Sequence, residues 1–62
     1  MTETQITEFI DEIKAELKFL GEKQDYLANK TGIKKHRLWD LFSQKVKFKP
    51  DEIKKIKNIL GI

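Results

Sequence analysis

The stretch Gln24-Asp-Tyr-Leu-Ala-Asn-Lys-Thr-Gly-Ile-Lys-Lys-His-Arg-Leu-Trp-Asp-Leu-Phe-Ser43 decides how this chain folds. It reads as two short helices crossing at a steep angle. Such a crossing needs a small residue where the second helix packs on the first, and Ala28 stands there. The turn needs a residue that accepts positive φ, which Gly32 supplies without a Cβ penalty. An apolar residue must then plug the turn into the core, and Ile33 follows at once. The second helix must show core residues three apart, which Leu38 and Leu41 provide. These five positions together predict a helix-turn-helix over about residues 24–43.

The flanks extend the helical pattern. From about Thr4 to Leu20 the apolar residues Ile6, Phe9, Ile10, Ile13, Leu17 and Leu20 recur at steps of 3, 1, 3, 4 and 3, a helical stripe. Thr2 or Thr4 can cap this helix, Glu3, Glu8, Asp11 and Glu12 suit its positive end, and Phe19 is expected at the edge of the stripe. The second helix is expected from about Lys23 to Lys30 and the third from about Lys34 to Ser43. Gln44 to Lys49 reads as a basic loop that tucks Val46 and Phe48 inward. Pro50, Asp51 and Glu52 open a fourth helix, with Ile53, Ile56, Ile59 and Leu60 as its stripe and Gly61 as its stop. The expected fold is a small all-α four-helix domain occupying residues 1–62.

Length and charge narrow the function. A chain of 62 residues cannot enclose a deep, water-excluding pocket, so an enzyme is the least expected class. With no cysteine and one histidine, His36, neither a disulfide nor a metal cluster is expected, and His36 has no partners for catalysis. No cofactor or small-molecule substrate is implied. The opening Met1-Thr2-Glu3-Thr4 is polar, and no apolar run nears the roughly 20 residues that cross a bilayer, so a cytoplasmic protein is expected. The net charge of +3 is unevenly spread. Met1 to Glu22 carries −4, Lys23 to Lys49 carries +6, and Pro50 to Ile62 carries +1. A basic middle attracts polyanions, nucleic acid before anionic membrane. Its residues lie across a turn and a loop, not along one amphipathic helix, which disfavours the membrane.

The stretch resembles the DNA-binding domain of the phage repressor and Cro-like helix-turn-helix regulators. Gln24 stands where that family often has Gln, Leu27-Ala28 matches its Leu-Ala pair, and Ile53…Ile56…Ile59-Leu60-Gly61-Ile62 is similar to its closing helix. The resemblance runs from about Lys14 to Ile62. It departs at Lys23 and Lys34, where Ser or Thr caps are usual, at Phe42 in place of a Glu, and at Gln44 in place of a Gly. The resemblance implies a bacterial or phage transcriptional regulator that represses by occupying an operator, with the nucleoid as its location. The third helix would enter the major groove, with Lys35, His36 and Arg37 as base readers. Asp40 would accept from a cytosine amino group or orient His36. Phosphates would be held by Lys23, Gln24, Lys34, Ser43, Lys45, Lys47 and Lys49. Trp39 would pack beside Phe42, touch the DNA rim or form a protein interface, and Tyr26 is expected at the core edge. A homodimer, formed in solution or only on DNA, would use Ile59 and Ile62 or the acidic first helix. The competing reading is a protein-binding module of the same fold, an antirepressor or an inhibitor of a phage or host factor.

Overall fold

The computed structural model describes residues 2–62. Four helices follow one another: α1 (Glu3–Leu20), α2 (Gln24–Thr31), α3 (Lys35–Phe42) and α4 (Pro50–Leu60). The described residues contain no strand. The protein is therefore a small all-α four-helix domain. Its radius of gyration, 10.6 Å, matches the ~10.6 Å expected of a chain of this length packed as one body.

Each helix boundary has a chemical cause. At α1 the Gln5 amide donates to Thr2 Oγ1 at 3.2 Å, and the Thr2 amide donates back to Gln5 Oε1 at 2.9 Å. This reciprocal box satisfies donors that the first turn leaves open. The helix stops at Gly21, whose φ of 70° reverses the chain. The Glu22 amide then reaches back to Leu17 O at 2.9 Å. α2 ends at Gly32, φ 75°, the position the turn required. Thr31 seals that turn from within: its hydroxyl donates to Leu27 O at 2.6 Å and accepts from the Ile33 amide at 3.2 Å. A buried hydroxyl thus has both its donor and its acceptor function met.

The core draws on all four helices. Ile13 from α1, Leu27 from α2, Leu38 and Leu41 from α3 and Ile56 from α4 are fully buried. Burying each is worth about 1.5–3 kcal/mol relative to exposure. Phe9, Ile10, Leu17, Phe42 and Leu60 complete the cluster, with Ala28 and Ile33 packed at its margin as expected. α2 packs on both α3 and α4, and α1 packs on α4. α2 is thus held from two sides, by α3 and by α4.

Three apolar expectations differ. Phe19 is 83% exposed and packs on nothing in the core. It lies two residues beyond Leu17, about 200° around the helix, on the water side. Leu20, in the last turn of α1, is also exposed, as is Val46. From the basic loop only Phe48 turns inward, meeting the Phe9 ring edge-on with centroids 5.4 Å apart. That aromatic contact pins the loop to α1.

Candidate nucleic-acid interface

Burial of Leu38, Leu41 and Phe42 against the core leaves the other side of α3 in water. Lys34, Lys35 and His36 stand exposed at its leading end, and Ser43 at its trailing end. Trp39 is 58% exposed between them. Lys34, Lys35, His36 and Trp39 together line a shallow hollow on this side. Trp39 therefore does not bury itself beside Phe42, although both rings border the same cleft. Tyr26 lies at the core edge with Lys30 Nζ 5.8 Å from its ring centre.

A larger cleft opens between α3 and the start of α2. Lys23, Gln24, Lys35 and Ser43 meet there, all expected to contact nucleic acid. Two further residues join them that were not anticipated, Lys14 and Asp25. Lys14 belongs to the acidic first helix by sequence. Its place beside Ile10 and Leu17 on the helix wheel puts it at the flank of the buried stripe, and that was the available signal. Asp25 faces Lys35, with 3.0 Å between Oδ1 and Nζ. Lys35 Nζ is also 5.9 Å from the centre of the Trp39 ring.

No side-chain oxygen caps α2 or α3, because lysines occupy both cap positions. α4 likewise starts from Lys49, but there Glu52 reaches back and accepts from the Lys49 amide at 2.8 Å. Three helices in succession therefore start with a cation at their positive end, an arrangement that is locally unfavourable.

The largest departure from the expected site is Arg37. Its guanidinium is engaged within the fold: Nε donates to Glu52 Oε2 at 2.7 Å and Nη2 to Glu52 Oε1 at 2.9 Å. Two of its N–H groups are thus committed to a carboxylate that is itself only 8% exposed. Arg37, expected as a base reader, thus also ties α3 to α4, while the two Nη1 protons and the second Nη2 proton are not used by Glu52. Hydrogen bonding to Arg37 draws the Glu52 carboxyl below its usual range, aided by the Lys49 amide and the charges of Arg37 and Lys49 and opposed by burial. The same pair raises Arg37 above its ordinary value.

Asp40 is half-buried, and among the described residues no hydrogen bond or ion pair joins it to His36. His36 is exposed to solvent. Lys45, Lys47 and Lys49 are exposed on the loop after α3, outside the cleft. That loop starts with Gln44 at φ 60°, the one non-glycine residue with left-handed backbone among those described. The Lys45 amide there bonds to Asp40 O and the Gln44 amide to Leu41 O, closing α3 as a glycine would.

Among the described residues no cluster of histidine and acidic side chains is disposed to hold a metal ion. No helix among them is long and apolar enough to cross a membrane. The chain matches no family model, no curated protein and no solved structure.

Proposed function

We propose that this protein is a sequence-specific duplex-DNA-binding regulator of the Cro-like kind. The observation that carries this reading is the outward side of α3. A projecting helix presents Lys34, Lys35 and His36 at its leading end and borders a cleft that adds Lys14 and Lys23. An α-helix fits the major groove, and its first turn reaches base edges. In this scheme Lys35 and His36 read bases. Lys14, Lys23, Lys34, Gln24 and Ser43 grip phosphates, and the exposed Lys45, Lys47 and Lys49 extend the grip. Phosphates drawn to the starts of α2 and α3 also offset the missing caps, because helix N-termini and lysines both favour anions. Arg37 positions α3 instead of reading sequence.

One eight-residue helix covers few base pairs, so two copies on a two-fold operator are the natural arrangement. Repression would follow from occupying the operator.

Trp39, the single tryptophan, lies beside Lys35 on this surface, so its fluorescence reports occupancy directly. Titration with a duplex of about 20 base pairs should quench or shift it. The logarithm of the binding constant should fall with the logarithm of salt, with a slope of about −0.9 per phosphate neutralised. Binding that ignores salt, or no binding to any duplex at low salt, overturns the proposal. A protein-binding module is the second reading, and it is favoured by the exposed aromatics Phe19 and Trp39. It requires a partner whose binding survives high salt.

A further inference from the structure

We infer that Asp25 is a built-in competitor for the nucleic-acid backbone, a residue that lowers affinity for duplex by holding Lys35; this rests on the DNA-binding reading above. Asp25 sits in the first turn of α2 and Lys35 in the first turn of α3, so their 3.0 Å ion pair joins the two helix starts across the cleft. Both side chains stay more than half exposed, at 58% and 57%. An exposed pair of this kind shifts an equilibrium by no more than about fivefold, so a ligand can open it. Trp39 offers the lysine a second support, with the ammonium 5.9 Å from its ring centre. When the pair opens, Lys35 therefore keeps a surface to rest on beside the groove-facing side of α3.

Asp25 is the one carboxylate among the residues lining this cleft, where it faces Lys14, Lys23 and Lys35. A duplex approaching the lysines must bring phosphates towards that carboxylate and compete with it for Lys35. Opening the pair costs the same whichever sequence is bound, so Asp25 lowers affinity for every duplex.

The test compares Asp25→Asn and Asp25→Ser with Glu8→Gln, which removes the same charge from α1 on a different surface. Lys35→Met and the double variant Asp25→Asn/Lys35→Met complete the set. Each is titrated, through Trp39 fluorescence, with a random-sequence duplex and with the duplex that the unmodified protein selects from a random pool. On the random duplex both Asp25 variants should bind roughly twofold to fivefold tighter at about 50 mM salt, with a salt slope steeper by roughly 0.9. The gain on the selected duplex should be no smaller, because the same pair is opened there. It should vanish in the Lys35→Met background and be absent in Glu8→Gln. An Asp25 variant that matches Glu8→Gln, or keeps its gain without Lys35, overturns the inference while leaving DNA binding intact. An unmodified protein that binds neither duplex removes the functional reading, and the inference with it.

Discussion

Arg37 of α3 and Glu52 of α4 meet in a two-armed ion pair, Nε to Oε2 at 2.7 Å and Nη2 to Oε1 at 2.9 Å. Glu52 Oε1 also accepts from the Lys49 amide at 2.8 Å. One carboxylate therefore both starts α4 and anchors the projecting helix. Replacing it with alanine strands three donors. A fully buried pair loses about 3–5 kcal/mol on such truncation. Here the Arg37 side chain keeps 34% exposure and can rehydrate, so the smaller figure for charged hydrogen bonds, about 1.5–3 kcal/mol, applies. Glu52→Ala should lower Tm by on the order of 10 °C. A melting curve within a degree or two of the parent would show that the pair adds nothing.

The same pair sets an acid limit. The Glu52 carboxyl titrates lower in the folded protein than in the unfolded chain, chiefly because Arg37 hydrogen-bonds to its ionised form. The unfolded state therefore takes up the proton first as pH falls. The stability from this group is fully present above the unfolded value of about 4.3 and is lost as pH drops through the lower folded value. Tm should be flat in this respect from neutrality to about pH 5 and fall below that. Glu52→Gln should start lower and show a shallower acid decline. A parallel decline in both proteins would assign the acid sensitivity to other carboxylates.

Two left-handed positions should respond with opposite signs. Gly32 has φ 75°, and a Cβ there would meet no atom within 4 Å, so Gly32→Ala is opposed by backbone strain alone. That strain is about 1–2 kcal/mol. Gln44 already bears such strain at φ 60°, and its side chain returns only a 3.3 Å bond from Nε2 to Thr7 Oγ1 on the surface. Gln44→Gly should stabilise by about 0.5–1 kcal/mol, relief of strain less the entropy of glycine. Paired urea titrations check both signs, and a destabilised Gln44→Gly would mean that the Thr7 contact outweighs the strain.

The helices and the turn were legible because their signals are local. Ala28, Gly32, Ile33, Leu38 and Leu41 each satisfy a steric demand set within about fifteen residues, and the structure meets all five. The wheel of α3 likewise separated its buried side from its wet one. The bond from Arg37 to Glu52 was not legible because the partner lies 15 residues away on another helix, and a sequence pattern does not reveal which carboxylate will fold against it. Asp25 and Lys14 escaped for the same reason: only the crossing of α1, α2 and α3 brings them to Lys35. Phe19 was misplaced by its apolar character, although a 200° step from Leu17 already put it in water.

Arg37 and Lys35, two residues apart, should separate cleanly under substitution. Lys35→Ala should lower affinity for a selected duplex by about 1–3 kcal/mol and broaden the sequences selected, with little change in Tm. Arg37→Gln should lower Tm, combine less than additively with Glu52→Ala, and leave the selected sequence unchanged. A changed selected sequence in Arg37→Gln would return Arg37 to the reading surface.

Lys34 carries the sharpest trade between folding and binding. Its backbone, φ −61° and ψ 140°, already has the extended geometry of a helix cap, yet its side chain caps nothing. Serine in the same geometry would supply the missing acceptor, worth about 1 kcal/mol, and would remove a cation from the positive end of α3, worth about 0.3–1 kcal/mol. Lys34→Ser should therefore raise Tm by roughly 4–8 °C or more. If the lysine is there for phosphate, the same change should weaken duplex binding and make the salt slope shallower by about 0.9. Opposite movements of melting temperature and affinity are what a binding residue at a structurally unfavourable position requires. A variant that melts higher and binds as before would make Lys34 a solvated surface lysine, and the uncapped start of α3 would then lose its link to the ligand.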